Sequence, residues 1–120
     1  GGHASQPHDA VDPIPVACEL VTALQSMITR RVPPFDPAVL TIAHIKAGST
    51  NNVIPETAFL EGTLRSFSEK TRAIAREGLK RVTEHVCAAH ACEADLEIVP
   101  GFPVTLCDER AVALARRIAK

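Results

Sequence analysis

From Ala58 to Ser66 the chain alternates with a period of two. Ala58, Leu60, Gly62 and Leu64 share one face, while Phe59, Glu61, Thr63 and Arg65 share the other. The small and aliphatic face is predicted to meet helices, and Arg65 to stand on the opposite, open face. That pattern fits a sheet covered on one side only, and with the helical segments that flank it points to a two-layer α+β class.

The flanking segments supply the helices. Asp12 is a candidate N-cap, with Pro13 at the first helical position, where its missing N–H costs nothing. Ile14, Ala17, Val21, Leu24 and Ile28 recur at helical spacing. Val16, Leu20 and Met27 widen that stripe, so this helix has two sides to bury, one against a sheet and one against a partner. Arg30 and Arg31 suit the helix C-terminus, and Val32-Pro33-Pro34 ends it. Val39 to Ala47 reads as a strand and Gly48 to Pro55 as a loop. Ser68 opens a second helix running to about Ala91, with Ala75, Leu79, Val82, Val86 and Ala89 as its buried stripe. Ala94, Leu96 and Ile98 alternate with Asp95 and Glu97 in a further strand. Gly101 to Asp108 reads as a linker, and Asp108 to Lys120 as a helix without a C-cap.

The order is therefore helix, strand, strand, helix, strand. One strand before Gly1 would complete βαββαβ, the two-layer split βαβ sandwich of ferredoxin-like type. The absent strand is central in that topology, so the chain either has a gap in its sheet or recruits another segment to fill it. Both ends are expected to be cut from a longer protein.

Composition narrows the function. With 13 basic and 14 acidic residues in 120, the net charge is −1, and there is no Trp or Tyr. Nucleic-acid binding lacks both its electrostatic footprint and its stacking platforms. No apolar run approaches the roughly 20 residues of a membrane span. Cys18, Cys87, Cys92 and Cys107 lack the spacing of a small disulfide scaffold and read as reduced thiols of a cytosolic protein.

Three polar clusters carry chemistry: Gly1-Gly2-His3-Ala4-Ser5-Gln6-Pro7-His8, Asn51-Asn52-Val53-Ile54-Pro55 and Gly62-Thr63-Leu64-Arg65. An imidazole and a carboxamide can donate to an oxyanion, and a guanidinium forks onto a carboxylate. Neither a nucleophile nor a full metal shell accompanies them, so the chain reads as part of a catalytic site. Each residue also has a plainer reading. His3 fits a solvated terminus, Asn52 an Asx-turn, and Arg65 a cross-strand ion pair with Glu61 or another acid. His85, Cys87, His90 and Cys92 are metal-ligand types at short spacing. Successive helical positions diverge by about 100°, so all four cannot face one ion from a continuous helix.

GGHASQPH, then DPI at Asp12 to Ile14, NVIP at Asn52 to Pro55 and GTLR at Gly62 to Arg65 occur in order. Together they resemble the dinuclear-metal aminoacylase and carboxypeptidase family, nearest its hippurate hydrolases and indole-acetyl-amino-acid amidohydrolases. The resemblance covers Gly1 to about Pro103. It implies a lid or dimerisation domain over residues 1–103, with 104–120 beginning the return into a catalytic domain of the same polypeptide. It implies a homodimer through the first helix and strand 39–47. By the same resemblance His3 reaches the partner subunit's active site and donates to the scissile carbonyl oxygen. Asn52 holds the same region of substrate, Arg65 clamps the carboxylate of an N-acyl amino acid, and His8 is structural in its turn. No cofactor is expected on this chain. The parent is expected to use two divalent ions, zinc, manganese or nickel, in its catalytic domain, and to be cytoplasmic. Two other functions fit the topology: a small-molecule regulatory module and a pure assembly domain.

Overall fold

A computed structural model of the chain describes residues 2–3, 12–100 and 107–117. Helix α1 spans Pro13–Arg31. The Asp12 carboxylate caps it by accepting from the Ile14 N–H at 3.0 Å, and the Val32 N–H closes its far end on the Ile28 carbonyl. Helix α2 spans Glu69–Ala89, and Ser68 caps it by accepting from the Thr71 N–H at 3.1 Å. The strands are β1 (Gly2–His3), β2 (Ala38–Ala47), β3 (Val53–Ile54), β4 (Thr57–Ser66), β5 (Cys92–Pro100) and β6 (Cys107–Arg117). Four of them form one antiparallel sheet in the order β2-β4-β6-β5, and β1 and β3 pair separately. Both helices pack on one face of the sheet, giving the two-layer α+β sandwich of ferredoxin-like type.

The predicted helix over Asp108–Lys120 is overturned: Cys107–Arg117 is a strand, and residues 118–120 lie outside the described part. This strand occupies the central slot that the element order reserves for a strand before Gly1, pairing with β4 on one side and β5 on the other. Its composition favours a helix locally, but such propensities differ by at most about 0.7 kcal/mol per residue. An empty slot would leave the facing edges of β4 and β5 with unpaired backbone groups. Alternation then sorts the side chains. Glu109, Ala111, Ala113 and Ala115 are buried under the helices, while Val112 and Leu114 are half-buried on the open face.

The helical stripes also shift. On α1 the buried residues are Pro13, Val16, Ala17, Leu20, Leu24 and Met27. Val21 and Ile28 lie on its flank and Ile14 is exposed, so the residues predicted to widen the stripe form its centre. On α2 the buried set is Thr71, Ala75, Gly78, Leu79, Thr83 and Cys87; Val82 and Val86 are half-buried and Ala89 is exposed. The two helices meet where Gly78 faces Met27. The turn after α1 is tied to the start of α2. The Ser68 hydroxyl donates to the Asp36 carboxylate at 2.7 Å, and the Thr71 hydroxyl donates to the Asp36 carbonyl at 2.9 Å.

Candidate functional site

Strand β4 behaves as its pattern predicts. Ala58, Leu60, Gly62, Leu64 and Ser66 are buried under the helices, and Arg65 is exposed on the open face opposite Val39 of β2. Glu61, two rows away on that face, faces Arg110 at 3.5 Å and His44 at 3.7 Å. The His44 ring in turn meets Phe59 edge-on, with centroids 5.7 Å apart.

The glycine-histidine start and the asparagine loop come together. Gly2 pairs with Ile54 and His3 with Val53, so a short ladder sets the His3 backbone against the residue that follows Asn52. The His3 side chain and His8 lie outside the described part. Asn52 is exposed, whereas Ile54 is 5% exposed and anchors the loop in the protein. A predicted plain loop thus contains a strand, because the loop has a pairing partner that no local pattern reveals.

Arg65 is elsewhere. The loop follows the end of β2 at Ala47, which pairs with Ala58 at the start of β4, whereas Arg65 pairs with Val39 at the other end. Eight residues separate Thr57 from Arg65, about 26 Å at a strand's rise. One copy therefore brings His3 and Asn52 together and holds Arg65 apart.

The thiol and imidazole cluster does not converge. Cys87 and Cys92 are buried with Val16 and Ala115. His85 and His90 are exposed, one facing the Arg81 carbonyl at 2.8 Å and the other Glu19. Burial pushes the Cys87 thiol up to about 11, with the neighbouring Cys92 adding to it; burial and then Asp12 raise Cys92. Among the described residues no group of three or more His, Cys, Asp or Glu is placed to hold a metal ion. An open groove between α2 and β5, lined by Arg76, Lys80, Leu96 and Ile98 among others, contains none of the three candidate residues. Phe67, 48% exposed in the bend after β4, escaped the sequence reading.

A family model described as a peptidase dimerisation domain matches residues 1–91. Over 119 residues the chain is 40% identical to an N-acetyl-L-cysteine deacetylase of Bacillus subtilis (strain 168), covering 99% of this chain and 29% of that protein. It is 42% identical over 120 residues to an N-acetyldiaminopimelate deacetylase of Streptococcus pneumoniae serotype 19F (strain G54), covering 98% of the chain and 31% of that protein. The chain thus spans about a third of the length of these curated relatives. A crystal structure of a protein described as an aminohydrolase, from methicillin-resistant Staphylococcus aureus, superposes with a TM-score of 0.72 at 26% identity, over 97% of this chain and 27% of the other. No helix among the described residues is long and apolar enough to cross a membrane.

Proposed function

The chain belongs to the peptidase dimerisation domain family, and on that premise we propose that it is the lid and dimerisation domain of an amidohydrolase that deacylates N-acyl amino acids. One observation carries the reading: His3 and Asn52 lie at one end of the sandwich and Arg65 at the other. A twofold pair joined along β2 reverses that arrangement. The two β2 strands would run antiparallel, and so would the two β4 strands beyond them. The His3–Asn52 end of one copy then lies alongside the Arg65 end of its partner. Strand β2 is at the sheet edge and exposes Val39 and Ile45, with Ile14 exposed on α1, which suits association by strand addition.

In this reading His3 donates to the scissile carbonyl oxygen as negative charge grows on it. Asn52 holds the same region, and Arg65 forks onto the free carboxylate. The buried thiols and diverging imidazoles do not suit a divalent ion. The two divalent ions, zinc, manganese or nickel, and the activated water they supply belong instead to the catalytic domain of the same polypeptide. The lid's sheet includes β6 (Cys107–Arg117) between β4 and β5, so in this reading the lid of this cytoplasmic protein extends past residue 103 into the segment that the sequence assigned to the return. The names of the relatives favour an acetyl group over the benzoyl or indole-acetyl group of the first resemblance.

Mixing two impaired parent enzymes, assayed at substrate well below the wild-type KM, tests this. A His3→Ala subunit paired with an Arg65→Ala subunit leaves one complete site per mixed dimer if the two residues of a site come from different copies. Random mixing then restores about a quarter of wild-type activity. No recovery places both residues of each site in one copy and sinks the shared-site reading. Full activity of both single variants would leave only an assembly role.

A further inference from the structure

The turn that ends α2 has the marks of a Schellman motif. His90 is the cap, and the next residue, Ala91, has φ +56°. The Ala91 N–H donates to the Ala88 carbonyl at 3.1 Å, which is the inner bond of that motif. Such a turn folds the second residue past the cap back onto the third residue from the helix end. Here both positions are cysteine: Cys87 lies in the last turn of α2 and Cys92 opens β5. Both are reduced, Cys87 1% and Cys92 3% exposed, and they share one apolar cluster with Val16 of α1 and Ala115 of β6. A disulfide needs α-carbons about 4.4–6.8 Å apart, the spacing at which short side chains touch. Cys18, exposed on α1, is outside the cluster.

We infer that Cys87 and Cys92 are an oxidisable dithiol that closes to a disulfide and staples the end of α2 to the start of β5. The oxidant is a small disulfide of the glutathione type. The Cys92 thiolate attacks one of its sulfurs, the S–S bond of the oxidant breaks, and the first glutathione leaves. The Cys87 thiolate then attacks the Cys92 sulfur and expels the second. Two thiol protons pass to the two departing glutathione thiolates, and the pair's two electrons reduce the oxidant. Burial raises both thiols and keeps them protonated at neutral pH, so the reaction waits for the helix end to open. The pair is therefore a slow lock rather than a rapid sensor, and the same burial shields the closed disulfide from reduction. Cys92 pairs with Arg117, one row beyond Arg116 and Thr57, where β4 leaves the Asn52 loop. The staple thus braces the end of the sandwich that carries that loop.

The parent enzyme, purified reduced and incubated folded with oxidised glutathione, tests this. Cleavage after Glu84 and Glu93 releases residues 85–93, which hold Cys87 and Cys92 without Cys18 or Cys107. The expected product is that peptide lighter by two hydrogens and closed to alkylation, with amide exchange of residues 88–91 in the intact protein slowed by about tenfold. Cys87→Ser is expected to leave Cys92 carrying one glutathione. Recovery of the wild-type peptide with both thiols alkylated overturns the pair, and so does a stable glutathione on each cysteine or a bridge to Cys107. A disulfide that leaves amide exchange unchanged overturns the lock. Should Cys87→Ser fail to fold, the wild-type peptide decides alone.

Discussion

A Cβ placed on Gly62 would stand 2.2 Å from the carbonyl oxygen of Thr41. The cause is a bulge in β2 between Ile42 and His44, where the edge strand kinks and its backbone presses against β4. Thr41 and Ile42 meet the added atom with main chain, which has little room to yield. Gly62→Ala is therefore expected to destabilise the chain by about 1–3 kcal/mol, read as a fall in the urea midpoint. The contrast is Gly78→Ala, whose added atom would meet the flexible side chain of Met27. Gain of helix propensity there offsets the crowding, and the unfolding free energy is expected to change by less than about 1 kcal/mol. Equal effects at the two glycines would mean the bulge does not press on β4.

Ala91 has φ +56°, just beyond the end of α2. A side chain in the left-handed region costs about 1–2 kcal/mol, and glycine removes that cost at part of its own entropy penalty. Ala91→Gly is expected to stabilise the chain by about 0.5–1 kcal/mol, seen as a Tm rise of a few degrees. A lower Tm would refute the left-handed assignment.

The buried Cys87 thiol predicts a dependence on alkaline pH. Its folded value is about 11 against an ordinary value of 9.0, so the unfolded chain loses this proton first. Stability from the neutral thiol is complete below pH 9 and is lost as pH rises toward about 11. Urea midpoints should fall over that window, and Cys87→Ala, though less stable throughout, should fall less steeply. Parallel slopes for the two proteins would place the thiol in contact with water.

In the parent enzyme His3→Ala is expected to lower kcat by about 10²–10³, the usual loss of one oxyanion donor. Arg65→Ala is expected to act mainly on KM, because a carboxylate clamp grips the ground and transition states alike. An unchanged kcat removes His3 from the reaction, and a fall in kcat alone removes the clamp from Arg65.

The local chemistry of the chain was legible wherever a pattern depends on neighbours in sequence. The caps at Asp12 and Ser68, the stop after Arg31 and the inward and outward faces of β4 all follow from spacing and side-chain type. So did the choice of Arg65 as an exposed cation, because alternation decides which face a strand residue takes. The phase of α1 was less legible: a wide apolar arc does not say which part of it meets the sheet, and packing chose Leu20 and Leu24 over Ile14.

Sequence by itself determined that two helices cover one face of an alternating sheet, since periodicity is a local property of the chain. Tertiary structure alone decided that Cys107–Arg117 is a strand, because the hydrogen-bonding edges of β4 and β5 lie far away in sequence and outweigh a weak helical preference. It alone also set His3 beside the Asn52 loop and Arg65 at the opposite end. Distance between residues is a property of strand pairing, and pairing is settled only when the whole sheet forms.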